Sequence, residues 1–153
     1  MSAGLASRIT EAVKSAMRAH DSTRLGTLRL LQAAIKQKAV DERVDPDDTA
    51  ILAIIEKQAK QRRESIAAYE AAGRPDHVAQ EQAELEILKE FLPLAASAEE
   101  IDLAIDGAIE QARGKGLQGG PAMGAIMGQL KAALAGRVDM AAVSAQVKKR
   151  LAQ

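Results

Sequence analysis

Hydrophobic residues recur every three or four positions along nearly the whole chain. The first stripe of this kind consists of Leu5, Ile9, Val13 and Met17. This spacing places one apolar side chain per turn on the same face of an α-helix, whereas a half-buried strand would alternate at every second residue. Later segments repeat the spacing, so the pattern predicts an all-α protein of seven helices.

Helix-starting and helix-ending residues separate these segments. Asp45 followed by Pro46 predicts the start of the third helix, because Asp accepts hydrogen bonds from first-turn amides and Pro lacks the amide that would stay unpaired there. Gly73 predicts the end of that helix, since glycine readily adopts the left-handed conformation of a C-terminal cap. Pro75 then predicts the start of the fourth helix.

A boundary between two helical units is predicted after Pro93, which stops the fourth helix. Ser97 and Glu100 follow with the S-x-x-E pattern of a capping box, which predicts the start of a fifth helix. We therefore expect a four-helix unit over residues 1–93 and a smaller three-helix unit over residues 94–153.

Composition supports the helical prediction and removes several kinds of chemistry. The chain has no Cys, and aromatic residues make up 1% of its 153 residues. Strands favour aromatic and β-branched residues, and disulfides, thiolate catalysis and cysteine metal sites all need Cys. The N-terminal segment lacks the apolar core of a signal peptide, and no stretch has the length needed to span a bilayer. We therefore expect a cytoplasmic protein that does not associate with membranes.

No set of catalytic or metal-binding residues can be assembled from the sequence. The two histidines, His20 and His77, are expected as surface residues near helix ends. Gly114, Gly116 and Gly119 form a G-x-G-x-x-G pattern, but dinucleotide binding requires a preceding strand, and here a helix is predicted instead. We interpret these glycines as an interhelical loop, and we predict no catalytic residue, no metal site and no cofactor.

A row of cations on the third predicted helix is the strongest candidate for a binding surface. Lys57, Lys60 and Arg63 are three residues apart and therefore drift slowly around one side of the helix. Such side chains can contact phosphates, and the scarcity of aromatic residues favours the backbone of structured RNA over stacked bases. The alternative is an ordinary salt-bridged face, because Glu56 precedes Lys60 by four residues in the favourable order.

Several strings together resemble those of the YqeY family, in the same order and over nearly the whole chain. The second helix of that family is similar to LRLLQAAIK at residues 28–36, and its central signature to KQRRESIAAYEAAGRPD at residues 60–76. Its fourth helix is similar to LKEFLP at residues 88–93. Its C-terminal half is similar to MGAIMG at residues 123–128 and GRVD at residues 136–139.

The C-terminal half of that family is in turn similar to the tail domain of the B subunit of the glutamine-dependent transfer-RNA amidotransferase. The resemblance implies a tRNA-binding accessory module that acts alone or beside an amidotransferase or an aminoacyl-tRNA synthetase. The larger protein is a carbon–nitrogen ligase with glutamine as amide donor, and its chemistry lies outside the tail. The resemblance therefore implies that this chemistry lies outside the present chain. Another hypothesis is an amidotransferase activity of the chain itself, which would need a nucleophile, a base and oxyanion donors in one cleft.

The resemblance and the basic helices together predict a set of nucleic-acid-binding residues that are all Lys or Arg. They are Arg29, Lys36, Lys57, Lys60, Arg62, Arg63, Arg74, Lys131, Arg137 and Lys148. The alternative prediction is a protein-interaction adaptor that does not bind RNA. In that case the acidic middle helices would meet a basic partner, and the Met-containing sixth helix would supply an adaptable apolar contact.

Overall fold

The computed structural model describes residues 4–153, and within them every regular element is an α-helix. This confirms the predicted all-α class. The chain divides into two compact units, Met1–Pro93 and Leu94–Gln153. The helices are α1 (Leu5–Arg18), α2 (Ser22–Glu42), α3 (Asp48–Ala71), α4 (Pro75–Lys89), α5 (Ala98–Gly114), α6 (Gly119–Leu134) and α7 (Met140–Leu151).

The first unit is built around one apolar core to which α1, α2, α3 and α4 all contribute. On α1 the buried positions are Leu5, Ile9, Val13 and Ala16. Met17, which the sequence pattern assigned to this stripe, is 49% exposed. Ala16 takes the buried position after Val13 instead, because one turn of helix contains 3.6 residues. The other large core residues are Leu28, Leu31, Ile51, Ile55, Leu88 and Phe91.

α3 starts later than the sequence pattern predicts. Its N-cap is Asp47, which accepts a hydrogen bond from the amide of Ala50 at 2.9 Å, whereas Asp45 and Pro46 lie before the helix. The carboxylate of the following residue, Asp48, accepts a hydrogen bond from the amide of Leu5 at 3.1 Å. The start of α3 is therefore positioned by its own cap and by the first turn of α1.

The turn between α3 and α4 agrees with the sequence prediction. Gly73 has a φ of 68° and follows the last turn of α3, as a left-handed terminating residue should. Pro75 occupies the first position of α4. This short turn folds α4 back against α3, and the two helices pack against each other.

The second unit has its own core between α5, α6 and α7. The core consists of Ile105, Ala108, Ile109, Ala112, Ala122, Ile126, Leu130, Leu134, Val143 and Val147. Side-chain caps begin two of its helices: Ser97 accepts from the amide of Glu100 on α5, and Asp139 accepts from the amide of Ala141 on α7. The loop between α5 and α6 is shorter than predicted: Gly114 is the last residue of α5 and Gly119 is the first residue of α6. In it Gly116 has a left-handed φ of 70° that glycine tolerates.

Candidate nucleic-acid interface

The predicted cation row lies on the solvent side of α3. Lys57, Lys60 and Arg63 are all exposed, and none of them forms a salt bridge with another residue in the described range 4–153. Glu56, which could have paired with Lys60, belongs to no ion pair within that range. The three side chains span about two turns of helix and keep their charges available to an outside anion.

Arg29 and Lys36 form a second basic pair on α2. They are seven residues apart, which places them on nearly the same side of the helix. Both are exposed, and neither takes part in a salt bridge in the part of the chain that the structure describes. Since α2 packs against both α3 and α4, these two cations and the α3 row belong to the same helical unit.

Arg62 differs from its neighbour Arg63, because it points toward α4. Its Nε donates to the carboxylate of Glu84 at 2.8 Å and lies 3.6 Å from the carboxylate of Glu81. The Arg62 side chain is 14% exposed. Its charge is therefore engaged in holding α3 to α4, and little of the guanidinium is left for a nucleic acid.

Arg74 occupies the turn between α3 and α4, where it is the N-cap residue of α4. Its Nη2 donates to the Nε2 of His77 at 2.6 Å, and its Nε lies 3.7 Å from the carboxylate of Asp76. The His77 ring in turn stacks on Tyr69 with the ring centroids 4.6 Å apart. These contacts engage the Arg74 guanidinium within the turn, although its side chain remains 54% exposed.

In the second unit, the predicted cations also divide into free and engaged side chains. Lys131 on α6 and Lys148 on α7 are exposed and form no salt bridge within residues 4–153. Arg137 instead donates from Nε to the carbonyl of Leu94 at 3.0 Å and pairs with Glu100. It therefore fastens the segment before α5 to the loop between α6 and α7.

The acidic side chains of α4 and the residue after it largely pair within their own unit. Glu81 and Glu84 contact Arg62, Glu86 pairs with Lys89, and Glu90 pairs with Arg24. The alternative adaptor prediction required these acids to receive a basic partner. Because cations of the same unit already neutralise them, this helix offers less free negative charge than its sequence suggests.

A surface groove of about 470 Å³ lies beside the end of α4 in the first unit. Arg8 contributes a guanidinium 5.6 Å from the ring centroid of Phe91, and Arg24 pairs with Glu90. Ser7 is the only hydroxyl among the lining residues, and the lining carboxylates are Glu11 and Glu90, of which Glu90 is engaged by Arg24. No cluster of three metal-ligating side chains occurs among residues 4–153.

Sequence reasoning missed the contacts that decide which cations are available. Arg8 and Phe91, and Arg24 and Glu90, are joined across more than sixty positions of sequence. Helical periodicity reports which face of one helix is apolar, but it carries no information about the partner of a polar side chain. None of the helices that the structure describes is both long enough and apolar enough to cross a membrane.

Comparison with known proteins finds curated fungal relatives that carry one common name, Altered inheritance of mitochondria protein 41, mitochondrial. The protein of Eremothecium gossypii is 38% identical over 102 residues, which are 65% of this chain and 56% of that protein. The protein of Pyrenophora tritici-repentis is 32% identical over 146 residues, covering 92% of this chain and 77% of that protein. The chain thus spans little more than half the length of the first of these relatives.

These names contradict the prediction of a cytoplasmic location, because they point to mitochondria instead. The prediction was wrong because the sequence features on which it was based do not distinguish the cytoplasm from mitochondria. A chain without Cys suits any compartment in which disulfides are not used. Mitochondrial targeting segments, moreover, are amphipathic and lack the apolar core of secretory signals.

The family comparison covers the chain almost from end to end. The model of the YqeY-like proteins matches residues 6–151, which include all seven helices except the first residue of α1. The match therefore extends over both compact units, and the chain belongs to the YqeY-like protein family.

Proposed function

We propose that this chain is an accessory module that binds the phosphate backbone of structured RNA of the transfer-RNA class, without catalytic activity of its own. The observation that carries the proposal is the row of Lys57, Lys60 and Arg63 on the exposed side of α3, which forms no ion pair with any residue from 4 to 153. Cations that have no intramolecular partner can bind phosphates without first losing an ion pair.

The side chains around this row favour phosphate contacts over base stacking. The chain has one Tyr, one Phe and no Trp. Phe91 is buried in the core, and Tyr69 is stacked on His77. Since stacking platforms for single-stranded bases are thus scarce, binding would depend on the shape and charge of an RNA backbone.

The choice of transfer RNA rests on the resemblance of residues 94–153 to the tail domain of the amidotransferase B subunit. The exposed Lys131 and Lys148 of that unit would add phosphate contacts of the same kind. An amidotransferase or an aminoacyl-tRNA synthetase is the protein partner that this proposal implies. Arg62, Arg74 and Arg137 are not part of the proposed surface, because their guanidinium groups are engaged within the protein.

The proposal is tested by titrating the full chain with a transfer-RNA transcript at two salt concentrations. We expect the triple variant Lys57→Glu, Lys60→Glu, Arg63→Glu to bind at least about tenfold more weakly at low salt. The logarithm of its affinity should also fall less steeply with the logarithm of salt concentration, by roughly 2–3 units of slope, because about three phosphate contacts are lost. Fluorescence anisotropy of labelled RNA measures both quantities.

A matched control reverses three cations that are already paired within the first unit. Lys14, Lys38 and Lys89 each form an ion pair with a Glu of the same helix. Changing all three to Glu alters the net charge by the same amount as the triple variant of the α3 row. This control should retain most of the wild-type affinity. Equal weakening by both triple variants would show a general charge effect instead of a binding surface. Absence of binding by the wild-type chain at low salt would refute the proposal itself.

A further inference from the structure

The outward face of α2 carries large apolar side chains that the rest of their unit leaves mostly exposed. Leu30 is 57% exposed and Val40 is 64% exposed. Between them on the same face lie Ala33 and Gln37, which are also exposed. The core-facing side of the helix is formed by different residues, including Leu28 and Leu31, which are fully buried. α2 therefore has an apolar face toward the core and a second one toward solvent.

The spacing of this outer stripe is that of a helix–helix seam. Residues 30, 33, 37 and 40 follow one another at intervals of three, four and three, as the a and d positions of a heptad do. Apolar residues scattered singly on a surface are ordinary, but here Leu30 and Val40 are connected by a small Ala33 and by Gln37 along about three turns. Such a narrow stripe matches the seam by which one amphipathic helix receives another.

The charges beside the stripe differ between its two edges. On one edge Arg29 and Lys36 immediately precede stripe positions, and both are exposed and unpaired within the described residues. On the other edge Lys38 is neutralised by Glu42 at 2.7 Å. Within the stripe, Gln37 donates to Asp41 at 2.8 Å. The free positive charge is thus confined to one edge, which selects the sign of an incoming partner.

The cation row of α3 differs from the outer face of α2 in the apolar side chains beside it. No residue of α3 is among the large hydrophobic side chains that the described part of the chain exposes. Lys57, Lys60 and Arg63 therefore offer charge alone, which suits phosphates, whereas Arg29 and Lys36 offer charge beside an apolar seam. A phosphate backbone would leave Leu30 and Val40 uncovered, so an RNA accounts for the α2 face less well than a protein helix does.

We propose that the outer face of α2 docks an amphipathic helix of a partner protein, with acidic residues along one edge. Its apolar stripe packs on Leu30, Ala33 and Val40, and its Asp or Glu side chains face Arg29 and Lys36. The apolar contact provides affinity, while the charged edge fixes the orientation of the partner and accelerates association. This interaction goes beyond RNA binding and does not depend on it, because it uses a different helix from the α3 row.

The first experiment measures binding of a defined probe to the full chain. The probe is a fluorescein-labelled helical peptide of 21 residues with Leu at its a and d positions and Glu at its flanking positions. A matched peptide carries Lys in place of each Glu. We expect the wild-type chain to bind the acidic peptide at least about tenfold more tightly than the basic one, as measured by fluorescence anisotropy.

Two double variants separate the apolar and the charged contributions. Leu30→Ser with Val40→Ser should weaken binding of the acidic peptide at least about tenfold, because both anchors are lost. Arg29→Glu with Lys36→Glu should abolish or reverse the preference for the acidic peptide. These positions are exposed, so circular dichroism and the thermal midpoint should stay close to wild type. Leu103→Ser is the matched control, since Leu103 is 74% exposed on α5. It should leave the affinities for the acidic and the basic peptide unchanged.

Three outcomes would overturn the proposal. The first is equal affinity, or none, for the acidic and basic peptides. The second is a dimer in sedimentation equilibrium that Leu30→Ser with Val40→Ser dissociates, which would make a second copy of this chain the occupant. The third is a loss of transfer-RNA binding by the same apolar variant, which would assign the face to RNA. Unchanged RNA binding by that variant, together with the lost peptide binding, separates this inference from the proposed function.

Discussion

Arg62 and Arg63 are adjacent in sequence and have different physical roles. A difference of one position rotates a side chain by about 100° around a helix axis, which is enough to move a guanidinium from solvent to the α3–α4 contact. Arg62 thus meets Glu81 and Glu84, while Arg63 remains exposed and outside any ion pair within residues 4–153. The sequence predicted both as nucleic-acid contacts, because it shows charge but not the position of the facing helix.

We expect Arg62→Gln to destabilise the protein by about 1–3 kcal/mol. The reason is that it leaves Glu81 and Glu84, which are largely buried at 21% and 17% side-chain exposure, without their cation. Urea denaturation followed by circular dichroism measures the change. Arg63→Gln is the control and should stay within about 0.5 kcal/mol of wild type.

A double-mutant cycle identifies the cause of that loss. Adding Glu84→Gln to Arg62→Gln should restore part of the stability, since one of the two unpaired carboxylates is removed. If the double variant were as unstable as the sum of the two single variants, the ion pair would contribute nothing measurable.

At the scale of whole elements, the helices were predicted well because each contains its own signals. Ser97 caps α5 as the capping-box pattern predicted, and Pro75 begins α4. The start of α3 was placed too early, because both Asp45 and Asp47 are suitable caps. The choice between them depends on Asp48 reaching the amide of Leu5 in α1, a tertiary contact that local sequence does not contain.

α6 contains two glycines in its interior, where glycine is unfavourable compared with alanine. Gly124 and Gly128 lie inside the helix, are exposed, and have no atom within 4 Å of the place where a Cβ would lie. Neither has a positive φ, so no strain would follow from a side chain. We expect Gly124→Ala and Gly128→Ala each to stabilise the protein by about 0.5–1 kcal/mol, because alanine loses less backbone freedom on folding.

Thermal and urea unfolding of the two single variants and the double variant measure this effect. Gly136→Ala provides the opposite control, because Gly136 has a φ of 73° that an L side chain rarely adopts. That change should destabilise the protein. Destabilisation by Gly124→Ala would mean that the outer side of α6 is less open than its surroundings indicate.

At the scale of the whole molecule, the sequence contained enough information for the all-helical class but too little for the proposed RNA-binding surface. The fold class follows from periodicity that repeats in every segment. The surface depends on which cations remain free after folding. The ion pairs of Arg62 with Glu84, of Arg137 with Glu100 and of Arg150 with Asp102 each join residues more than twenty positions apart. Such pairs depend on tertiary arrangement, so sequence periodicity could not separate free cations from engaged ones.

The two units have separate apolar cores, which leads to a prediction about how the molecule opens. Every member of the first core lies in residues 1–93, and every member of the second lies in residues 94–153. Ile126 is 1% exposed in the second core, so Ile126→Ala should cost about 2–5 kcal/mol through lost burial and the remaining cavity. Hydrogen exchange should then accelerate throughout α5, α6 and α7, because these helices share that core.

The helices of the first unit should keep their exchange protection in this variant, since their core loses no contact. Leu31→Ala is the mirror variant, because Leu31 is fully buried in the first core, and it should accelerate exchange in α1 to α4 alone. Hydrogen exchange with mass spectrometry resolves the two halves in one measurement. Equal acceleration in both halves by either variant would mean that the chain opens as one cooperative unit, and the two cores would then have to be treated as energetically coupled.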